Sequence, residues 1–281
     1  MQAGAPAPTL NLRLMQLLMM LGSCGSASWA TEYEAAAVPA AAAYGLSLIT
    51  SAPHEQGRQA SDCDIVEYGA KADGTTDSTN AIQRALDECT GIAGAPKTVR
   101  VPATPRSLTF RAGSLRLRSY QRLLVEPGAV LQGLTDASRY PIGKPFPSFC
   151  GTDAGTKPDC RGSCALPFLG ADGVTDVEIT GGGTIDGGSP TGKFRGPRLI
   201  QFRNSSALRI TNLTVQHSAF WTIHFYACRD VAVTDSRIIA GITVGETDGV
   251  DLDSTADAHV ARNHIEVGDD GVALKSGMGS R

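Results

Sequence analysis

Four segments share one pattern: Asp176-Val177-Glu178-Ile179-Thr180, Ala207-Leu208-Arg209-Ile210-Thr211, Asp230-Val231-Ala232-Val233-Thr234 and Asp257-Ala258-His259-Val260-Ala261. Their first residues follow one another at intervals of 31, 23 and 27 residues. The second and fourth positions of each segment are apolar, which is typical of a strand with one buried face. A strand repeat of roughly 20–30 residues without helices indicates a β-solenoid, so the sequence predicts an all-β fold, a parallel β-helix. A β-sandwich would also alternate, but its strands would not resemble one another at this spacing.

A second strand follows a bend in each coil. Its three versions are Trp221-Thr222-Ile223-His224-Phe225, Asp248-Gly249-Val250-Asp251-Leu252 and Asp270-Gly271-Val272-Ala273-Leu274. When their apolar positions are aligned, Asp248 lies beside Asp270 on the neighbouring coil, with Trp221 on the coil before. Adjacent strands are about 4.8 Å apart. Since Asp269 precedes Asp270, we expect three carboxyl groups close together.

The residues before this repeat predict a different structure. Residues 64–70 alternate and run into Gly69, which indicates a strand. Residues 73–77 are typical of a turn that caps a helix. A helix of about ten residues should follow, because five residues recur at helical spacing. They are Ala81, Ile82, Ala85, Leu86 and Cys89.

Composition excludes several classes of protein. The chain of 281 residues has a formal net charge of -3 and is 42% hydrophobic. This balance does not fit a polycation that binds nucleic acid or membrane surfaces. No run approaches the ~20 apolar residues of a membrane-spanning helix. We therefore expect neither nucleic acid nor a membrane as a partner.

The N-terminus predicts export. Arg13, a short apolar run and the small-residue ending at Ala30 are typical of a signal peptide over residues 1–30. Residues 31–60 are predicted to be an Ala-rich linker, and residues 61–281 the β-helix domain. The alternatives are a transit peptide and a disordered terminus.

The chain has seven cysteines, one of them inside the leader. The other six suit disulfides, with 15 possible pairings, or remain free thiols. They are Cys63, Cys89, Cys150, Cys160, Cys164 and Cys228, and a local bridge is predicted among Cys150, Cys160 and Cys164.

The three clustered acids suggest a catalytic site. Two unit charges about 5 Å apart repel by roughly 3 kcal/mol at an effective dielectric of 20, so one acid should keep its proton while the others ionise. Glycosidic cleavage needs such a combination. Asp248, Asp269 and Asp270 are therefore candidate catalytic residues. Two simpler interpretations are a surface turn and a Ca²⁺ site. Asp251 and Asp253 are expected to line the flank of the cleft.

His224 falls on the same outward row as Asp251 in this alignment. We expect it to be an exposed imidazole with a structural role. Two glycosylation sequons begin at Asn204 and Asn212. Asn212 also lies at a bend of the repeat, where Asn is often structural, so modification there is left open.

At these residues the chain resembles the polygalacturonases of glycoside hydrolase family 28. Residues 246–248 and 268–270 are similar to the Asn-Thr-Asp and Gly-Asp-Asp signatures of that family. Residues 247–254 and 267–277 look like its exo-acting branch. Residues 220–224 and 64–74 are also similar to that branch, so the likeness runs from about residue 63 to the end of the chain.

The resemblance implies a right-handed parallel β-helix of the pectin lyase-like type. It also implies inverting hydrolysis of α-1,4-galacturonosyl bonds in pectin, without metal or other cofactor. Asp269 would be the general acid, and Asp248 and Asp270 would activate water. Glu246 stands where the family has Asn, which adds an acid and removes an amide. Relatives continue past the position of Arg281 with a His motif and an Arg-x-Lys motif, so the resemblance implies the N-terminal part of such an enzyme.

We therefore predict a secreted glycosidase that acts on acidic polysaccharide as a monomer. Two alternatives stay open. One is a Ca²⁺-dependent pectate lyase on the same scaffold, and the other is a truncated β-helix that binds carbohydrate or is inactive. Exo or endo action and the substrate-binding residues are not determined by the sequence.

Overall fold

The computed structural model describes residues 62–103, 108–141, 165–191, 196–242 and 245–276. The predicted signal peptide and linker over residues 1–60 lie outside these ranges, and so do Cys150, Cys160 and Cys164 with their predicted local bridge. Among the helices of the described ranges, none has the length and apolar character needed to cross a bilayer.

Three parallel sheets form the body of the described chain. The first sheet contains β1 (Cys63–Asp64), β3 (Lys97–Val101), β6 (Gln121–Val125), β9 (Thr175–Thr180), β12 (Ser206–Thr211), β15 (Arg229–Thr234) and β18 (Ala256–Ala261). The second contains β2 (Asp73–Asp77), β4 (Thr109–Ala112), β7 (Val130–Gly133), β10 (Thr184–Asp186), β13 (Thr214–Gln216), β16 (Arg237–Ile239) and β19 (His264–Glu266). The third contains β5 (Leu115–Arg116), β8 (Leu169–Asp172), β11 (Ile200–Arg203), β14 (Ile223–Tyr226), β17 (Val250–Asp253) and β20 (Val272–Lys275).

Each coil takes one strand from each sheet and then returns to the first. The strands β14, β15 and β16, for example, follow one another along the chain and pair with β17, β18 and β19 of the next coil. This is the predicted right-handed parallel β-helix; right-handed connections are the rule between parallel strands.

The four repeated segments stack in the first sheet in the predicted register. Leu208 of β12 pairs with Val177 of β9 and with Val231 of β15. Their side chains point into the coil and are buried. Each fully buried side chain of this size contributes about 1.5–3 kcal/mol relative to exposure, so the apolar second and fourth positions hold the coils together.

The first residue of each repeated segment has a left-handed backbone. Asp176, Ala207, Asp230 and Asp257 have φ between 53° and 56°. Asp and Asn tolerate this region best among non-glycine residues, which explains why three of the four are Asp. Asn212 also has a φ of 53°, which supports its structural role at a bend. Glycosylation of Asn212 is left open.

The helix α1 (Thr79–Glu88) begins after β2 and buries the predicted apolar face. A disulfide joins Cys89, the residue that follows the helix, to Cys63 at a Cα–Cα distance of 6.1 Å. The helix prediction is confirmed. Cys228 is a buried free thiol, so the chain does not pair all six cysteines.

Two local predictions near the N-terminus were wrong. Residues 64–70 were predicted to be a strand, but β1 ends at Asp64 and a series of turns follows, in which Asp64 Oδ1 accepts from the Val66 N–H. Residues 73–77 were predicted to be a turn and instead form β2, which pairs irregularly with β4. The Asp73 carboxylate bends this strand, because it accepts the N–H groups of Thr75 and Thr76.

Candidate active site

The third sheet stacks the predicted acids on neighbouring coils. Ile223, Val250 and Val272 are register partners in β14, β17 and β20. Two residues before each of them lie Trp221, Asp248 and Asp270. The backbone bonds confirm this stacking: the Thr222 N–H donates to the Asp248 carbonyl at 2.9 Å, and the Gly249 N–H donates to the Asp270 carbonyl at 2.8 Å.

Gly249 lets these two coils approach closely. A Cβ atom at this position would lie 2.4 Å from the carbonyl oxygen of Gly271 and 2.8 Å from Ile265 Cγ2. Neither contact is possible for a real Cβ, so the glycine after Asp248 is a requirement of the stacking.

Thr247 connects the two acidic segments. Its side chain is fully buried, and its Oγ1 accepts the Gly268 N–H at 3.2 Å. The Asp269 carboxylate accepts the Glu246 N–H at 3.1 Å and the Asp270 N–H at 3.0 Å. The two segments therefore form one hydrogen-bonded unit.

The side chain of Glu246, which replaces the Asn of the family signature, bonds to the coil before. Its Oε2 accepts from Trp221 Nε1 at 3.3 Å. The Trp221 indole thus lies against an acid on one side of the site. The added carboxylate has a neutral donor as its partner.

The three predicted acids differ in exposure. Asp248 is only 3% exposed, whereas Asp269 and Asp270 are exposed. The site therefore presents two acids to solvent above a third that is held in the protein. Their catalytic roles stay predictions.

Lys275 is a site residue that the sequence analysis missed. Its Nζ lies 2.7 Å from Asp248 Oδ2 and 2.6 Å from Asp251 Oδ1. It also lies 3.9 Å from the centroid of the Trp221 ring. Burial works against the charge, but the hydrogen bonds with Asp248 and Asp251 raise the pKa of Lys275, so this ammonium group is charged at neutral pH.

Asp251 is fully buried beside Asp248, rather than on an open flank of the cleft. Burial raises the pKa of Asp251 to about 8, and its hydrogen bond and charge interaction with Asp248 act in the same direction, although Lys275 opposes them. Asp251 is therefore mostly protonated at neutral pH. A retained proton was expected among Asp248, Asp269 and Asp270, not on Asp251.

His224 is also buried, and the prediction of an exposed imidazole was wrong. The register does pair His224 with Asp251, as the alignment required. Its ring is covered by Trp221, with ring centroids 4.9 Å apart, and its Nδ1 contacts Gln201 Nε2 at 2.9 Å. Burial, together with the positive charges of the surrounding side chains, lowers the pKa of His224 well below its usual value. This imidazole is neutral.

Arg198 is a second cation that the sequence analysis missed. It is 1% exposed, and its guanidinium carbon lies 5.1 Å from the centroid of the Phe220 ring and 4.7 Å from that of Trp221. Burial lowers the pKa of Arg198 to about 10, although Asp251 raises it, so it stays charged. Because Ile200 pairs with Ile223, Arg198 stands two residues before the strand, as Trp221 does. Extending the alignment back by one coil would have found it.

The geometry suits acid–base chemistry on a polar substrate. Two exposed carboxyl groups stand above a buried carboxylate whose charge is compensated by Lys275, and an exposed acid pair can exchange protons with a bound molecule. The space between Asp248 and Asp251 holds an ammonium group. In the ranges that the structure describes, no group of three His, Cys, Asp or Glu residues is arranged to hold a metal ion.

Comparison with known families finds two matches. The family model described as "Glycosyl hydrolases family 28" matches residues 148–280. The model described as "Rhamnogalacturonase A/epimerase, pectate lyase-like" matches residues 63–103. The first match contains all three candidate acids.

The curated relatives include proteins named as polygalacturonases. The chain is 32% identical over 231 residues to a "Probable polygalacturonase" of Vitis vinifera, covering 78% of this chain and 45% of that protein. It is 29% identical over 229 residues to an "Endo-polygalacturonase" of Pectobacterium carotovorum subsp. carotovorum, covering 74% and 54%. The chain thus spans about half the length of these relatives.

Solved structures share the fold. An exopolygalacturonase from Thermotoga maritima superposes with a TM-score of 0.62 at 21% identity, covering 77% of this chain and 55% of that chain. A polygalacturonase from Erwinia carotovora ssp. carotovora gives a TM-score of 0.60 at 25% identity, covering 72% and 56%. Both likenesses agree with the three-sheet β-helix described above.

Proposed function

We propose that this chain, a polygalacturonase-like protein of glycosyl hydrolase family 28, hydrolyses α-1,4-galacturonosyl bonds of pectin. Asp269 acts as the general acid that protonates the leaving oxygen. Asp248 and Asp270 together activate the attacking water, which gives inversion at the anomeric carbon. The proposal includes secretion and action as a monomer on acidic polysaccharide.

One observation carries this proposal: the segments of the two acidic motifs are bonded to each other. The bond from the Gly268 N–H to Thr247 Oγ1 joins them through side chain and backbone. The bond from the Gly249 N–H to the Asp270 carbonyl sets Asp248 beside the acid pair. Asp269 also accepts the Asp270 N–H, as Asp does in surface turns, but a solvated turn would not need the bond to Thr247 on the neighbouring coil.

The buried surroundings of Asp248 support its role as a base. Its carboxylate is paired with Lys275, and a nearby cation favours the ionised form of a carboxyl group. Asp269, in contrast, is exposed and reaches solvent, where a leaving-group oxygen would lie. The two acids therefore have different surroundings, as the division of roles requires.

The proposal leaves exo or endo action open, because the relatives give no single answer. Their names include both "Endo-polygalacturonase" and "Exopolygalacturonase". Sizing the products decides between the two. Exo action releases one small product from the start, and endo action first releases a range of oligomers.

The test measures new reducing ends released from polygalacturonate by the full chain and by Asp269→Asn. Removal of a general acid should lower the rate by about 10²–10⁴-fold. Asp257→Asn is the matched control, because Asp257 is the second residue of β18 on the coil that contains Asp248, and its left-handed φ of 55° also suits Asn. The control should keep the wild-type rate.

Two results would contradict the proposal. Equal rates for the wild type and Asp269→Asn would remove the acid assignment. An unsaturated product that absorbs in the ultraviolet and disappears with chelator would indicate a Ca²⁺-dependent lyase instead.

A further inference from the structure

We propose that Lys275 is a positioning residue of this site: its ammonium group joins Asp248 to the buried Asp251 and so fixes the Asp248 carboxylate beside the exposed acid pair. The inference rests on the proposed function, because it concerns how the water-activating acid of that reaction is held. In this inference Lys275 acts through Asp248.

The first argument is the geometry of the ammonium group. Its Nζ lies 2.7 Å from Asp248 Oδ2 and 2.6 Å from Asp251 Oδ1. Lys275 is the register partner of Asp253 on β17, so its long side chain reaches back along the strand to both acids. The Trp221 ring lies over the same nitrogen at 3.9 Å and limits the positions that it can take.

The second argument is burial. Asp248 is 3% exposed and Asp251 is not exposed at all. A buried carboxylate is strongly unfavourable without a cation or several hydrogen bonds. Lys275 gives Asp248 a cation at Oδ2, and it comes from the coil that also carries Asp270. The contact therefore fixes the Asp248 carboxylate relative to that coil.

The third argument concerns the proton of Asp251. The charged and titratable groups that act on Asp251 are Asp248 on the same coil, Lys275 on the next coil, and Arg198 and His224 on earlier coils. His224 is neutral, so the cations are Lys275 and Arg198. Lys275 contacts both acids, so its charge offsets the repulsion between them.

A lysine suits this position better than an arginine. An ammonium group is compact and has three donors that can point to two carboxylates. A guanidinium group is planar and has donors in a fixed fork, which matches one carboxylate better than two separate ones.

The experiment compares wild type, Lys275→Met, Lys275→Arg and the exposed control Lys71→Met. The kinetic measurement is kcat and KM on polygalacturonate as a function of pH. For Lys275→Met we expect kcat to fall by about 100-fold while KM changes by less than about threefold. Lys275→Arg should recover part of kcat, and Lys71→Met should match wild type.

A second measurement does not depend on activity. The carboxyl carbon of Asp251 is followed by NMR as the pH is raised. Because Lys275 opposes the raised pKa of Asp251, its removal should move the titration midpoint upward by one or more pH units. If Lys275→Met does not fold, Lys275→Gln replaces it, since Gln keeps a donor and loses the charge.

The outcomes separate this inference from the proposed function. An unchanged kcat profile or an unchanged Asp251 titration in Lys275→Met would overturn the positioning role. If wild type does not hydrolyse polygalacturonate, the proposed function fails, and the Asp251 titration alone decides whether Lys275 holds the two acids.

Discussion

Replacing Asp251 by Asn should change how the stability of this protein depends on pH. The pKa of Asp251 rises from its ordinary 3.8 to about 8 on folding, chiefly because the group is buried. The folded protein therefore keeps a proton that the unfolded chain releases between these two values. Its contribution to stability is fully present below pH 3.8 and is lost as the pH rises through about 8.

The size of this effect follows from the two pKa values. One pKa unit corresponds to about 1.4 kcal/mol. The ionisation of Asp251 then favours the unfolded chain by just under ~2 kcal/mol at pH 5 and just over ~4 kcal/mol at pH 7. Asn is neutral at both pH values, so Asp251→Asn lacks this slope. The free energy of unfolding of Asp251→Asn minus that of wild type should grow by about 3 kcal/mol between pH 5 and pH 7, since each of these two pH units adds about 1.4 kcal/mol.

The assay is urea unfolding of both proteins at pH 5 and pH 7. The change with pH tests the reasoning, because Asn also alters the contact with Lys275 and so adds an offset at either pH. Asp257→Asn again serves as the control, and its difference from wild type should be the same at both pH values. A constant difference for Asp251→Asn, or one that shrinks with rising pH, would show that Asp251 is ionised in the folded protein and would refute the argument.

Two further predictions concern the coil itself. Gly249→Ala should lower the free energy of unfolding by about 3 kcal/mol or more, because its Cβ would lie 2.4 Å from a backbone oxygen that cannot move alone. Gly245→Ala, with nothing within 4 Å, should unfold like wild type in the same urea titration, and a similarly small loss for Gly249→Ala would contradict the close approach. Ala207→Asp should raise the free energy of unfolding by about 1 kcal/mol, because the φ of 54° at this position suits Asp better than Ala. The melting temperature should then rise by about 2–4 °C. Ala232→Asp, at a strand position without positive φ, should give no such gain in calorimetry; equal effects would exclude backbone strain as the cause.

The stacking of the acids could be predicted from the sequence, because equivalent positions of a repeat become register partners on neighbouring coils of a β-helix. Once Val250 and Val272 are recognised as equivalent positions, the pairing of strands fixes their neighbours. Asp248 and Asp270 follow by counting two residues back. The same counting from Ile200 reaches Arg198, so this cation was within reach of sequence reasoning.

The contacts of Lys275 were not predictable in the same way. The register places Lys275 opposite Asp253, yet its ammonium group pairs with Asp248 and Asp251. A flexible side chain with four methylene groups can reach several rows of a sheet, and the choice depends on which charges are buried. Similarly, the outward row predicted where His224 points, but not that the Trp221 ring would cover it.

By itself, the sequence determined the class of fold and the order of the coils, because apolar alternation and repeat length are local properties that can be recognised in the sequence alone. It also brought Asp248 and Asp270 onto neighbouring coils. Only the tertiary structure decided which acid is buried, which one keeps a proton and which cation lies between them. These properties depend on solvent exclusion and on distances between side chains that are far apart in the chain, and no repeat pattern encodes them.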